Sequence, residues 1–269
     1  MPASVRIGTQ GWNYDSWVGP FYPPGTRTAD LLAVYARAFD TVEVDSTFYA
    51  IPSEKTVRGW AERTPAEFKF ALKLPQQITH EQRLRDSADT AALFFDRARE
   101  LGPKLGPILI QLGPDFGPNE LPALTDFLPL IPPDLQVAVE FRQRGWIHEG
   151  ILALLAAHNV AVALSDGRWI SRRTMLSLAE RPTSNFLYIR WMGANREIVD
   201  YSRIQQDRTH ELELWADAIW AIAQKVTAVY GYVNNHFAGH SPASARQLQL
   251  LLGQKPVDPR ELGEQMSLF

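Results

Sequence analysis

The sequence predicts an α/β fold, a single domain over residues 1–269 closed into an eight-stranded β/α barrel. Eight short extended runs alternate with helix-sized intervals, the pattern of right-handed βα units on a parallel sheet. A length of 269 residues suits one such barrel, although two small domains would fit equally well. Charged and amide residues also recur on one parity of the extended runs, which predicts a polar layer inside the closed sheet.

The strands are expected at 5–9, 41–45, 68–73, 108–111, 136–141, 160–165, 186–190 and 228–233. The intervals 28–39, 53–62, 83–101, 120–130, 147–157, 208–224 and 241–252 are long enough for helices. In 83–101, Leu84, Ala88, Ala91, Phe95 and Ala98 recur at helical spacing, and in 208–224 so do Leu212, Trp215, Ile219 and Ala223. Both stripes read as core. Glycine and proline in 102–107 and 113–122 read as local turns and not as a linker. Two weak links remain, around 171–179 and 191–207, where loops on the site-bearing side compete with regular elements.

With 45% hydrophobic and 21% charged residues, the composition is that of a soluble globular chain, and 8 Trp, 13 Phe and 8 Tyr supply large apolar surfaces. The absence of cysteine excludes a disulfide framework, a thiolate nucleophile and cysteine metal sites, and favours an intracellular location. The opening Met1-Pro2-Ala3-Ser4-Val5-Arg6 lacks the sections of a secretory signal. No segment approaches the roughly 18 uninterrupted apolar residues of a membrane span, so a cytoplasmic protein without a membrane partner is expected. A net charge of -3 provides no long-range attraction to nucleic acid, although a local basic pocket would still accept it. No glycine-rich phosphate fingerprint opens a helix, which disfavours nicotinamide and nucleotide-triphosphate machinery.

Strand parity sharpens the expected pocket. Val42 and Val44 face the helices while Glu43 and Asp45 face the axis; Lys69, Ala71 and Lys73 oppose Phe68, Phe70 and Leu72; Ala138, Glu140 and Arg142 oppose Val137, Val139 and Phe141. Tyr188 and Arg190 share one face, as do Tyr230, Tyr232 and Asn234, with His236 continuing that row. The carboxyl ends of barrel strands carry the site, so Asp45, Lys73, Gln111, Arg142, Asp166, Arg190, Asn234 and His236 are the contact candidates. Glu43, Lys69 and Glu140 are expected one layer deeper. There, Glu43 with Lys69 or Lys73, and Glu140 with Arg142 or Arg190, can serve simply to neutralise buried charge.

Several segments together resemble the DUF72, or YecE-like, family. They are Gly11-Trp12-Asn13-Tyr14 with Trp17, Gly19, Phe21, Tyr22 and Pro23; Val42 through Tyr49; Ile78-Thr79-His80; Val139-Glu140-Phe141-Arg142; and Asn234 through His240. The resemblance implies a TIM-like (β/α)8 barrel. Some family members resemble the barrel of endonuclease IV, which implies a phosphate-related or nucleic-acid-related activity. The dense metal ligation of that enzyme is not reproduced here, and Gln143 stands where family members often carry His.

The expected chemistry centres on Asp45, Glu140 and His236 as catalytic residues. The two carboxylates can act as base and acid if burial and neighbouring charge separate their pKa values. A gap of roughly 5–5.5 Å would suit a retaining glycosidase. His236 can relay a proton near neutrality, and His80 is a weaker candidate that can equally cap a helix. Lys73, Arg142 and Arg190 are expected to hold an anion, Asn234, Asn235 and Asp166 to orient it, and Trp12, Tyr49 and Trp146 to stack on it. Trp17, Phe48 and Trp191 are further candidates for the mouth, and Arg168, Arg172, Arg173 and Arg196 add charge in later loops. No cofactor is specified, and a divalent metal stays open without a ligand motif. The preferred function is hydrolysis of a phosphorylated or nucleic-acid-derived substrate. A glycoside hydrolase and a non-enzymatic barrel that binds a small anion or nucleic acid are the alternatives.

Overall fold

Alternating apolar residues in each short run give every strand a face to bury, and parallel pairing satisfies the backbone between neighbours. The computed structural model describes residues 3–194 and 197–264. Its strands are β1 (Ser4–Gln10), β2 (Thr41–Val44), β3 (Lys69–Lys73), β4 (Leu105–Gln111), β5 (Val137–Glu140), β6 (Ala161–Gly167), β7 (Phe186–Gly193) and β8 (Ala228–Val233). Each pairs in parallel with the next, and β8 returns to β1 with Arg6 opposite Tyr230 and Thr9 opposite Val233, closing the barrel.

Helices α1 (Leu31–Ala38), α2 (Glu54–Glu62), α3 (Ala88–Arg99), α4 (Leu121–Phe127), α5 (Glu149–Ala157), α6 (Arg172–Ala179) and α7 (Thr209–Ile222) each follow a strand. After β8 come α8 (Asn235–Ala238), α9 (Ser241–Leu251) and α10 (Pro259–Glu264). The 171–179 stretch, a weak link in the sequence, is therefore helical. Ser171 Oγ accepts from Thr174 N to start α6, and Met175, Leu178 and Ala179 bury its inner face. Of the 191–207 stretch, residues 191–193 complete β7, and residues 197–207 form no regular element. Arg196 lies outside the described residues.

The interval 83–101 starts its helix later than its spacing suggests. Arg83, Leu84 and Asp86 have positive φ, so α3 begins at Ala88, itself exposed, and its buried stripe is Ala91, Phe94, Phe95 and Ala98. The stripe Leu212, Trp215, Ile219 and Ala223 is buried as expected.

Two cores result. The larger lies between sheet and helices and holds Val42, Val44, Phe70, Leu72, Val137, Val139, Leu187 and Ile189. The smaller fills the barrel, where Ala71, Ala138 and Ala163 leave room for Tyr188, Tyr230 and Tyr232. Those phenols do not go unpaired: Tyr232 Oη lies 2.9 Å from Thr41 Oγ1, Tyr230 donates to Gln136, and Tyr188 donates to Glu43 at 2.6 Å.

Candidate functional site

The same inward parity that fills the barrel brings polar side chains to its carboxyl end. Gln10, Asp45, Lys73, Gln111, Glu140, Ser165, Arg190 and Asn234, one from the end of each strand in turn, line a cavity of about 480 Å³. Gln76, His80, Arg142, Arg168, Met192 and His236 complete its polar and sulfur-bearing wall, and Phe48, Tyr49 and Trp169 supply rings.

The floor is a charge network centred on buried Arg190. Its Nη2 and Nε reach the two oxygens of Glu43 at 2.8 and 3.0 Å, and its Nη1 reaches Glu140 Oε2 at 2.6 Å. Glu140 Oε1 accepts from Arg142 Nε at 3.3 Å. Burial pushes the Glu43 carboxyl above its ordinary value, with Arg190 pulling against it. Burial acts the same way on Glu140, but there Arg190 and Arg142 prevail and hold the carboxyl below its ordinary value. Breaking such a network leaves an uncompensated buried charge, which is why its members occur together.

A second unit stands on this floor. The 3₁₀ turn Asp45–Phe48 follows β2, and its Thr47 Oγ1 accepts from Lys73 N at 3.0 Å and donates to Lys73 O at 2.7 Å. Phe48, from the same turn, places its ring face 3.7 Å from Lys73 Nζ. Burial, then the charge of Arg190, lowers the Lys73 ammonium to about 8, against the pull of Asp45, Glu43 and Glu140. Asp45 stands 4.0 Å from Arg190 Nη2 with its side chain 37% exposed, so it opens to the cavity as the buried carboxylates do not.

At the mouth, Trp169 lies near two guanidinium groups, with Arg168 4.3 Å and Arg142 5.5 Å from its ring centroid. His80 Nδ1 lies 2.8 Å from Thr79 Oγ1, and burial, then Arg142 and Lys73, lower its pKa and favour the neutral ring. His236 Nε2 lies 3.2 Å from Tyr201 Oη. Asn234 Oδ1 accepts from His236 N and its Nδ2 donates to Gln10 Oε1, both at 2.8 Å. At Gly193 φ is +76°, and an added Cβ would lie 2.1 Å from His236 O; glycine lets β7 and the β8 end approach this closely.

Asp45, Tyr49, Lys73, Glu140, Arg142, Arg190, Asn234 and His236 thus share one cavity, whereas several other candidates lie away from it. Trp146 is fully buried, stacked on Phe116 and Phe141, with Nε1 donating to Phe116 O. Trp12 packs edge-on against Trp60. Asn235 turns into the core, where its Oδ1 accepts from Trp17 and Ser241. Asp166 is of the opposite strand parity to Ser165 and accepts from Trp215 Nε1 and Arg172 behind the sheet, beside a separate cavity of about 220 Å³. Trp17 and Trp191 are core residues too. Lys69, expected a layer below the pocket, opens β3 at the far end of the barrel and donates to Pro103 O.

Gln10 was legible but missed: extending the row Arg6, Gly8 past the expected end of the first strand reaches it. Trp169 lies in a loop and Gln76 caps the short helical turn Gln77–Glu81, places where no strand period announces orientation. Gln143 donates to Pro114 O and does not line the cavity. Among the described residues, no three His, Asp or Glu side chains group closely enough to hold a metal ion, and no helix is long and apolar enough to cross a membrane.

Comparison with known proteins places the chain. It is 35% identical to the UPF0759 protein YecE of Escherichia coli K12 over 146 residues, which are 54% of this chain and 51% of YecE, so this match spans about half of that relative. It is 28% identical to the UPF0759 protein YunF of Bacillus subtilis over 96% of this chain and 99% of YunF. The crystal structure of a DUF72 family protein from Thermotoga maritima superposes with a TM-score of 0.79 at 22% identity, covering 93% of this chain and all of that one, which shows the shared fold. Residues 6–266 match the family model described as protein of unknown function DUF72, and with nearly the whole chain covered, this protein belongs to the DUF72 family.

Proposed function

We propose that this protein is an enzyme acting on a small phosphorylated substrate bound at the carboxyl ends of the strands, with hydrolysis as the reaction class. One observation carries the reading. Arg190 and Arg142 neutralise the buried carboxylates, while Lys73 and Arg168 line the same cavity and form no salt bridge among the described residues. A site with surplus positive charge in a partly dry wall attracts an anion, and Arg142 and Arg168 can meet its oxygens with paired donors.

Asp45 is the carboxylate available for proton transfer, because it is open to the cavity and, among the described residues, is not gripped by a close donor. In this reading it takes a proton from the attacking water, and Arg142, Arg168 and Lys73 stabilise charge building on the phosphoryl oxygens. Glu140 is assigned a positioning role, as two arginines favour its anion. That also weighs against a glycosidase, whose acid must stay protonated near neutrality. A cavity of about 480 Å³ has the size of a small-molecule site, which favours a metabolite over a nucleic-acid strand. The cytoplasm, where phosphorylated metabolites are held, is the proposed compartment.

The test is a turnover and binding screen over phosphorylated small molecules with the intact chain and with Asp45→Asn. Turnover should fall by about 10²–10⁴-fold in the variant while affinity is retained. Binding without turnover across the screen would instead make the protein a non-enzymatic binding barrel, and a fully active Asp45→Asn variant would remove Asp45 from the mechanism.

A further inference from the structure

Lys73 is built into the cavity in a way that anion binding does not require. It is the one lysine on the cavity wall; Lys55, Lys69, Lys104, Lys225 and Lys255 lie elsewhere, and arginine supplies the cavity's other permanent cations. Thr47 grips its backbone on both sides, fixing the origin of the side chain. The Phe48 ring seats the amine from one side. Among the described residues no carboxylate forms a salt bridge with it, although Asp45, Glu43 and Glu140 are near enough to act on its charge. Thr47, Phe48 and Asp45 come from a single turn, so one element fixes the amine and opens a carboxylate to the same cavity.

We propose that Lys73 is a nucleophile that forms an imine with the aldehyde or ketone of a small anionic substrate. This goes beyond hydrolysis, and it rests on the anionic-ligand reading only for where the substrate's charge is held. The ammonium first gives a proton to Asp45 across the cavity, by way of solvent water. The free amine then attacks the carbonyl carbon, forming a C–N bond as the carbonyl π pair moves to oxygen. Proton transfer from nitrogen to oxygen gives the neutral carbinolamine, Asp45 returns its proton to the hydroxyl, and water leaves to give the protonated imine. No redox equivalent is needed. Arg142 and Arg168 bind the phosphate or carboxylate end. Arginine in place of Lys73 would serve an anion as well or better; only an amine that can lose its proton serves this step. At neutral pH an amine lowered to about 8 is unprotonated roughly 200–300-fold more often than an ordinary lysine.

The intact protein is incubated separately with glyceraldehyde 3-phosphate and with neutral glyceraldehyde, reduced with borohydride, and its lysines are mapped by peptide mass spectrometry. Binding of inorganic phosphate is measured in parallel by calorimetry, and phosphate is also tried as a protectant. The expected result is an adduct concentrated at Lys73, at least about 10-fold above the other five lysines, stronger with the phosphorylated aldehyde, suppressed by phosphate, and absent from a folded Lys73→Met variant. Phosphate binding with no enrichment at Lys73 would overturn the imine and leave the anionic-ligand reading standing. Equal labelling of Lys73 by both aldehydes, with no phosphate binding, would overturn the anionic substrate class and leave the nucleophile. Because mapping is done on the unsubstituted chain, a variant that fails to fold does not blunt the test.

Discussion

Arg190 shows how one side chain can decide both stability and site. Its guanidinium joins Glu43 and Glu140 across the barrel with three bonds of 3.0 Å or less. Arg190→Met should cost about 3–5 kcal/mol in urea unfolding, since Glu43 then stays buried with the Tyr188 phenol as its donor and no cation bonded to it, while Glu140 keeps only Arg142. In that variant the Glu43 carboxyl rises further above its unfolded value and Glu140 loses the stronger of the cations holding it down, so the added stability present below the unfolded pKa is lost as pH rises through the folded pKa. The deficit should therefore shrink from neutral pH toward pH 5; a deficit independent of pH would locate the damage in packing instead. Lys73 gives the opposite signature. Its folded pKa is depressed to about 8, so the charged form costs stability below that value and the cost is relieved as pH climbs toward the unfolded value. Lys73→Met should thus be as stable as the parent at neutral pH or more so, by on the order of 3 kcal/mol at most. Phosphate affinity in the parent should fall as pH rises through about 8, and this step should vanish in the variant.

At the scale of elements, the turn Asp45–Phe48 is where local geometry becomes chemistry. It begins as β2 ends, and Thr47 ties it to the backbone of β3, so Asp45 and Lys73 hold their positions together. Thr47→Val preserves shape but removes the hydroxyl's contacts with Lys73 N, Lys73 O and Val44 O, for an expected loss of about 1–3 kcal/mol. Borohydride trapping at Lys73 should fall more than phosphate affinity in this variant, because Arg142 and Arg168 are untouched; equal losses would mean that the turn only supports the cavity as a whole. The strained stretch Arg83, Leu84 and Asp86 shows how local and tertiary forces divide. Its residues fit a helical stripe in sequence, yet ion pairs from Arg83 to Asp115 and Glu120, and from Arg85 to Glu120, are made with the chain held in the left-handed region. Those partners lie some 30 residues on, beyond reach of any periodicity.

For the molecule as a whole, closure of β8 onto β1 makes every strand depend on two neighbours. A single folding domain over 1–269 is the corresponding proposal, with one cooperative unfolding transition superimposable by tryptophan fluorescence and far-UV circular dichroism; two resolved transitions would divide the chain. The sequence by itself determined the eight strands, the helices between most of them and the inward parity, because strand period and helix period are local properties that neighbours in the chain reveal. Asp45, Lys73, Glu140, Arg190 and Asn234 were legible as one constellation for that reason: strand ends of a barrel gather at one face. Only the tertiary structure decided that Glu43 pairs with Arg190 and not with a lysine, that Trp146 and Asn235 turn into the core, that Asp166 points behind the sheet, and that Lys73 is left on a phenylalanine ring with no salt bridge among the described residues. Those outcomes depend on which side chains meet across the barrel and on how much water each keeps. Both are set by packing between residues far apart in sequence, and no local period carries them.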